Sequence, residues 1–511
     1  MADEQNRCVV TFHKGVDTEQ AVNELLDAGF ELHNAKPESV SNFDFVMTRA
    51  QAEALKTDPR VRDVRYGSKA ENGIIPTPSI LDDSILMDKS SVVSNLYGQW
   101  GLAACSSTVA GQGTDIWSNS GTQASYQFPY SLSGKNVDIV IQDSGVDPLH
   151  PEFFDADGVT RYQTVDWPTI SGQTQFTQDA NYHRDLDGHG THCAGISAGI
   201  KYGWAKNSKI YSLKILDDSQ SAWGVSTSFN LLRNWHIRKT ANPATGVIDP
   251  TVVNMSWGYA TYYVNITGGQ YRGVNWTGTS PDQSKGMRTY AFSSAAGGYV
   301  HGVRVSSVDS DIEDCILAGI ILVGAAGNYA HKVDVPGGAD YNNYYIQNGF
   351  TAVYYNQGAT PSATPGVICV GSVDSGYTSS RNRCATYSER GPRVDLWAPG
   401  TNVMSSVSGS KAGVAVDDPR DSSFKVRKLS GTSMASPQVC GVIGTLLETR
   451  PTATPAEALT WVTNKGSVNS QMYDATTGVV SSDYTITQAL QGAPNKFLRT
   501  PYSSSTPYTI S

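Results

Sequence analysis

From about Trp100 onward, short apolar runs alternate with helical patterns, and no other feature of the chain limits its fold so tightly. The runs are Val137–Gln142, Ile210–Ile215, Thr251–Met255, Ile320–Gly324 and Gly366–Val370, and helical periodicity opens near His189, Val225, Val308 and Thr432. Strands that are apolar on both faces need cover on both faces, which a parallel sheet between two helical layers supplies. The pattern predicts an α/β fold, a doubly wound and mostly parallel sheet. Ligands bind such sheets at the carboxyl ends of the strands, so chemistry is expected in the residues that follow each run.

The chain has 511 residues, 39% of them hydrophobic and 17% charged, and a mean hydropathy of −0.31. That composition suits a globular protein with one large domain and an accessory one. A net charge of −9 without any sustained basic stripe argues against a nucleic-acid partner. The longest apolar run, Ile316 to Ala326, is far too short to span a bilayer, so no membrane partner is expected. The opening Met-Ala-Asp-Glu-Gln-Asn-Arg has neither the basic nor the apolar region of a secretory signal. The expectation is an intracellular or particle-associated protein, with a secreted protein lacking its leader as the alternative. The seven cysteines show no metal-ligand spacing and read as buried free thiols.

Residues 7–66 form a unit of their own. Cys8–Phe12 reads as a strand, and Thr18 can cap a helix that carries Ala21, Val22, Leu25 and Leu26 and stops at Gly29. A faint strand over Phe30–Asn34, a strand over Phe43–Met47, a helix over Arg49–Lys56 and a strand over Val61–Val64 complete it. The order strand, helix, two strands, helix, strand is that of a small α+β ferredoxin-like sandwich. Residues 67–98, rich in Gly, Pro, Ser and Asp around Ile74-Ile75-Pro76-Thr77-Pro78, read as a linker and a processing site. Residues 99–511 hold the large domain.

Four polar residues stand at strand ends or helix starts. Asp143 ends the run Val137–Gln142; taken alone it is a turn acid capping the next loop. His189 lies between Gly188 and Gly190 at a helix start, where flanking glycines leave an imidazole open. His192 follows three residues later, but no Glu lies between the two in a zinc-type spacing, and His192 is expected to pack inward. Asn328 ends Val323-Gly324-Ala325-Ala326-Gly327 and alone reads as a turn residue. Ser433 opens the helix carrying Val439, Val442, Ile443, Leu446 and Leu447, either as a cap or as a nucleophile helped by the helix amino terminus.

In the order Asp, His, Ser, these residues match the subtilisin-type arrangement. The motifs His189-Gly190-Thr191-His192-Cys193-Ala194-Gly195, Tyr202-Gly203, Ala205-Lys206, Lys214-Ile215-Leu216-Asp217-Asp218, Val253-Asn254-Met255-Ser256, Val370-Gly371-Ser372 and Gly431-Thr432-Ser433-Met434-Ala435-Ser436-Pro437 resemble the subtilase family, most closely its proteinase K group. Trp100-Gly101-Leu102-Ala103 resembles that group's mature amino terminus, and residues 7–66 resemble the family's inhibitory propeptide.

The resemblance implies a serine endopeptidase made as a self-inhibited zymogen. Its catalytic residues would be Asp143, His189 and Ser433, with Asn328 in the oxyanion hole. Its partners would be polypeptide substrates and its own propeptide, with an assembly or virion partner as a further expectation. Ser256, Trp257 and Gly258 would pair with extended substrate, and Ala325, Ala326 and Gly327 would form the opposite wall. Trp257, where the family usually has Leu, would either narrow an upstream subsite or pack under a neighbouring loop. The resemblance also implies a structural calcium held by Pro365, Val367 and Asp395, and no cofactor for catalysis. The turn between Ala198 and Tyr202 lacks subtilisin's calcium-loop insertion. Cys369 sits where the group has a bridged cysteine, but its partner is missing, so no disulfide is carried over. Stretches at 259–301, 329–364 and 405–428 are longer than the family needs and border the expected cleft.

Overall fold

In the computed structural model, residues 5–33, 39–66, 75–78, 99–106, 132–216, 221–287, 300–349, 351–374, 382–470, 472 and 490–500 are described. Asp217 and Asp218, most of the expected linker and part of the first insertion lie outside them.

The large domain is built on an eight-stranded sheet. Its spatial order is Ser467–Asn469, Lys496–Leu498, Leu396–Pro399, Ile368–Val373, Ile321–Ala325, Thr251–Met255, Asp138–Asp143 and Lys209–Lys214. All neighbours run parallel except the edge strand Ser467–Asn469, which is antiparallel. The five strands expected from apolar runs are all present, with ends shifted by no more than three residues. Alternation within the runs divides the core. Ile139, Ile141, Val252 and Val323 pack with the helices His189–Ala198 and Thr432–Thr449. Val140, Val253 and Leu322 pack with Val225–Arg238 and Ser306–Leu317 on the other face. The direction in which strands are added reverses at Asp138–Asp143, the first of these strands in sequence, which has the second, Lys209–Lys214, on one side and the third, Thr251–Met255, on the other, all parallel. That reversal opens a crevice at the carboxyl ends of Asp138–Asp143 and Thr251–Met255, where a ligand site belongs in a doubly wound sheet.

The amino-terminal unit has the expected topology, with strands Glu31–Leu32, Asn42–Met47, Asn6–Phe12 and Val61–Tyr66 in that spatial order and helices Thr18–Asp27 and Arg49–Leu55. The first helix is capped one residue earlier than expected. The Asp17 carboxylate accepts from the Gln20 amide, because the residue with extended backbone is Asp17 and Thr18 is already helical. This unit docks on the Ser306–Leu317 helix through complementary charge: Lys14 pairs with Asp314 at 2.7 Å and Arg62 with Glu313 at 2.7 Å. At the centre of the contact, Asp311 is buried and accepts from Ser39 and, at 2.8 Å, from Asn42.

One part of the expected linker is ordered structure. Ile75–Pro78 is a strand, antiparallel to Trp257–Tyr262 with Thr77 opposite Gly258 and Pro78 opposite Trp257. Proline cannot donate to a ladder, and an antiparallel ladder bonds alternate residues, so prolines at 76 and 78 are compatible with pairing through Ile75 and Thr77.

The insertions also have structure. Parts of the first two join in a four-stranded antiparallel sheet, Val274–Trp276, Ile266–Tyr271, Tyr344–Gln347 and Thr351–Tyr354, with a small core of Tyr263, Ile266, Met287, Tyr345 and Tyr355. The third forms the sheet Val403–Val407, Asp421–Leu429 and Val416–Asp418. Among the described residues, no helix is long and apolar enough to cross a membrane. All seven cysteines are buried and unbridged.

Docking of the small unit should depend on pH through Asp311. Burial pushes its carboxyl up to about 7, against which the bonds from Ser39 and Ser226 and the nearby Lys14 act only partly, while Asp314 adds to the rise. The bound state thus favours the protonated acid, so docking is strongest below the ordinary carboxylate pKa and is lost as pH rises through about 7. With the two units supplied as separate chains, the dissociation constant should rise by at most about tenfold per pH unit in that window. Asp311→Asn should flatten the dependence.

Candidate active site

Asp143 ends its strand wholly buried, a position an acid holds only with partners. Its Oδ1 lies 2.7 Å from His189 Nδ1 and accepts from the Ser144 amide at 2.7 Å. Burial alone would lower the pKa of His189, but the charge and hydrogen bond of Asp143 outweigh it and hold the imidazole above its ordinary value.

The glycines around His189 are required by close approach. A Cβ on Gly190 would stand 2.0 Å from the Gly145 carbonyl oxygen, and Gly188 has φ +97°, where a Cβ would stand 2.0 Å from the Ser408 carbonyl oxygen. A residue that the sequence reading did not single out fixes this turn. Asp185, buried, accepts from the Gly188 amide at 2.8 Å, the Thr191 amide at 2.9 Å and the Ser144 hydroxyl at 3.0 Å. Its signal in the sequence is slight: an acid a few residues ahead of a helix whose Gly start cannot cap itself. His192 packs inward as expected. It bonds the Arg427 carbonyl at 2.9 Å, and burial lowers it to about 3, which keeps it neutral.

Ser433 lies in the first turn of its helix, and Pro437 shapes its surroundings. The Ser433 carbonyl would normally accept from the amide four residues on, which proline lacks. The Ser256 hydroxyl donates to that carbonyl at 2.8 Å instead, and the Cys193 thiol at 3.5 Å. Asn254 continues the link, donating to Ser256 Oγ at 2.8 Å and accepting from Ser436 at 2.8 Å. The Ser433 hydroxyl itself donates to the Ser256 carbonyl at 3.0 Å, and His189 Nε2 is buried without a hydrogen-bond partner.

Asn328 follows the strand Ile321–Ala325, and its side-chain oxygen accepts from both the amide and the hydroxyl of Thr432 at 2.9 Å. Those two donors orient the amide group and leave Nδ2, buried and unpartnered, as a donor beside the start of the Ser433 helix.

Trp257 and Gly258 open the strand Trp257–Tyr262, directly after Ser256; it is the middle strand of a three-stranded antiparallel sheet, between Val300–Gly302 and Ile75–Pro78. The Trp257 indole is fully buried, donates to Gln142 at 3.2 Å and packs on Phe229 and Tyr259. It fills the wall from behind and forms no exposed lip. Ala325 ends the strand Ile321–Ala325 and Ala326 and Gly327 follow it, with the Gly327 amide donating to Thr432 Oγ1 at 3.2 Å.

The expected calcium ligands do not fit a metal. Arg393 donates to the Val367 carbonyl at 2.7 Å and to Asp395 Oδ2 at 3.0 Å, and Pro365 lies within the same turn. A side-chain cation has the place the resemblance assigned to an ion. Among the described residues, the group of three ligand-type side chains within 4.8 Å is Asp143, His189 and Cys193. Burial raises the Cys193 thiol well above its ordinary value, so it stays protonated and a poor ligand.

The sequence model of the subtilase family matches residues 134–488. Subtilisin-like protease 2 of Pseudogymnoascus destructans is 24% identical over 477 residues, covering 91% of this chain and 88% of that protein. Alkaline protease 2 of Aspergillus fumigatus is 25% identical over 351 residues, covering 69% of this chain and 52% of its own length. The cuticle-degrading serine protease of Arthrobotrys oligospora is 23% identical, with 74% and 64% covered. The chain thus spans most of one relative and about half to two-thirds of the others. Fervidolysin from Fervidobacterium pennivorans, a keratinolytic enzyme related to subtilisin, superposes with a TM-score of 0.51 at 17% identity, over 99% of this chain and 61% of that one. That likeness concerns the fold.

The Asp143–His189 pair makes a titration prediction. Replacing Asp143 by Asn leaves burial as the main influence on His189, so its pKa should fall from above the ordinary histidine value to below it. Histidine ring-proton NMR across pH 4 to 9, on chains with and without the substitution, reads the shift directly.

Proposed function

The chain belongs to the subtilase family of subtilisin-like serine proteases, and we propose that it cleaves peptide bonds with Ser433 as nucleophile, His189 as general base and acid, and Asp143 as the group that orients the imidazole. The observation that carries this reading is the paired state of Asn328: Thr432 engages its oxygen, and its Nδ2 donor is left beside Ser433 with nothing to bind. A buried unpartnered donor costs about 1–3 kcal/mol, and an oxyanion forming at the Ser433 end of the cleft would satisfy it.

In the mechanism, the Ser433 hydroxyl turns from the Ser256 carbonyl to His189 Nε2, which takes its proton as Oγ attacks the substrate carbonyl. The Asp143 carboxylate holds the Nδ1 proton and stabilises the imidazolium. Asn328 Nδ2 and the Ser433 amide, in a helix first turn where amides lack internal partners, bind the oxyanion. The imidazolium then protonates the leaving amine, and water releases the acyl group by the same steps in reverse. Substrate would be held as an extended strand along Trp257–Tyr262, mainly by backbone bonds, which favours broad specificity.

Residues 7–66 would act as an inhibitory propeptide, with Ile75–Pro78 as its tail on the substrate edge. The tail runs toward Ser256, whose carbonyl receives the Ser433 hydroxyl. Ser433 and His189 are fully buried in this arrangement, in keeping with a blocked enzyme that becomes active once the tail leaves.

Ser433→Ala should abolish peptide hydrolysis and leave the chain intact at full mass. Asn328→Ala should lower kcat by about 10²–10³, the cost known for such a donor in subtilisin, with little change in KM. The processed enzyme should begin after Pro78 and no later than Trp100, as read by amino-terminal sequencing. A Ser433→Ala chain that still hydrolyses peptides would refute the assignment.

A further inference from the structure

We propose that the Arg393 guanidinium is the resident cation of the Ser362–Val367 turn, a built-in replacement for a metal ion that frees this wall of the cleft from any need for calcium. The inference concerns stability and stands whether or not the proteolytic reading holds.

Backbone carbonyls converge on the guanidinium. Nη2 donates to Ser362 O at 2.7 Å, Val367 O at 2.7 Å and Thr364 O at 3.0 Å, and Nε reaches Ala363 O at 3.3 Å. Nη2 has two hydrogens for three carbonyls, so one contact is shared. Nη1 donates to Asp395 Oδ2 at 3.0 Å, and that oxygen also accepts from the Cys369 amide at 2.8 Å. A ring of carbonyl dipoles and one carboxylate, all pointing inward, is the kind of donor set that suits calcium. Here the distances are those of N–H donors, and the planar fork covers several acceptors at once. The side chain is mostly buried, 12% exposed beside 23% for Asp395. Burial opposes the charge, and the Asp395 carboxylate more than offsets it. An ion entering this cage would meet a fixed positive charge with a single carboxylate for both, and would have to displace the guanidinium from each carbonyl.

The turn matters because it backs the substrate edge. The Thr360 carbonyl accepts from the Tyr259 amide at 2.9 Å, and a Cβ on Gly324 would stand 2.9 Å from Ser362 Cα. On its other side, Asp309 accepts from Thr360 and Thr364 at 2.6 Å each, and Arg304 donates to Ala363 O at 2.7 Å. Arg393 therefore closes the second side of a clamp on the segment behind Gly258 and Gly324.

The test measures thermal unfolding of the full chain carrying Ser433→Ala, so that self-digestion plays no part, in EDTA and in millimolar calcium chloride. With Arg393 intact, the unfolding temperature should show no calcium response that Asp395→Asn removes. Adding Arg393→Ala should lower it by about 5 °C in EDTA. Calcium should restore part of that loss, and should fail to do so when Asp395→Asn is also present. Arg393→Lys, which keeps the charge but not the fork, should fall between. A calcium response in the intact cage that Asp395→Asn abolishes would overturn the proposal. So would an Arg393→Ala chain as stable as its parent in EDTA, or one destabilised and indifferent to calcium. Should Arg393→Ala not fold, the intact chain and Asp395→Asn decide the question by themselves.

Discussion

The site depends on one missing hydrogen bond. Pro437 deprives the Ser433 carbonyl of its helical partner, and the helix can keep proline there only because Ser256 and Cys193 supply donors from a strand end and from the His189 helix. Three segments that are remote in sequence are thereby tied to one backbone atom next to the candidate nucleophile. Asn254 extends the tie to Ser436, so the first two turns of the helix are registered against the strand Thr251–Met255 by side chains, where an ordinary helix would use only its own ladder. The orientation of Ser433 is thus set by the sheet.

Much of this was legible because unusual residues stood where the fold leaves no ordinary reason for them. Asp143 at the end of a buried strand and His189 between two glycines are costly or permissive choices, and their places at a strand end and a helix start follow from the alternation of runs and helices. Asp185 was not legible, since its role lies in tying the turn at Gly188 and Thr191 to Ser144, which is brought beside it only in space. Pro76 and Pro78 read as a linker because proline argues against a central strand. They are compatible with a strand that pairs on one side alone, which sequence does not distinguish from an open loop. The spacing of Pro365, Val367 and Asp395 suggested calcium, yet spacing of acceptors carries no information about the cation between them. Arg393 was visible two residues before Asp395, but nothing local showed that its side chain folds back over the turn.

The same solution recurs across the molecule. Lys206 donates to the carbonyls of Ile200 and Gly203 in the turn after the His189 helix. In the inserted sheet region, Lys332 lies between Asp334 and Asp340 at 3.4 and 2.7 Å, with Arg272 on the far side of Asp340. Lys239 serves Asp138, the Asp249 carbonyl and Thr251 below the sheet. Buried oxygen clusters cost free energy unless a positive group answers them. This chain meets that demand with its own side chains, which cannot dissociate as a bound ion can.

The strand Trp257–Tyr262 unites these constraints. One side of it holds Ile75–Pro78, and the Tyr259 amide on it bonds the Thr360 carbonyl of the turn clamped by Arg393. Its first residue follows Ser256, which holds the Ser433 carbonyl. A shift of this strand would therefore alter the seat of the tail, the wall of the cleft and the position of Ser433 together. The burial of Trp257 against Phe229 and Tyr259, with its indole nitrogen on Gln142, resists such a shift. A large aromatic at this position thus serves as the anchor that ties the strand, and everything bonded to it, to the core behind the sheet.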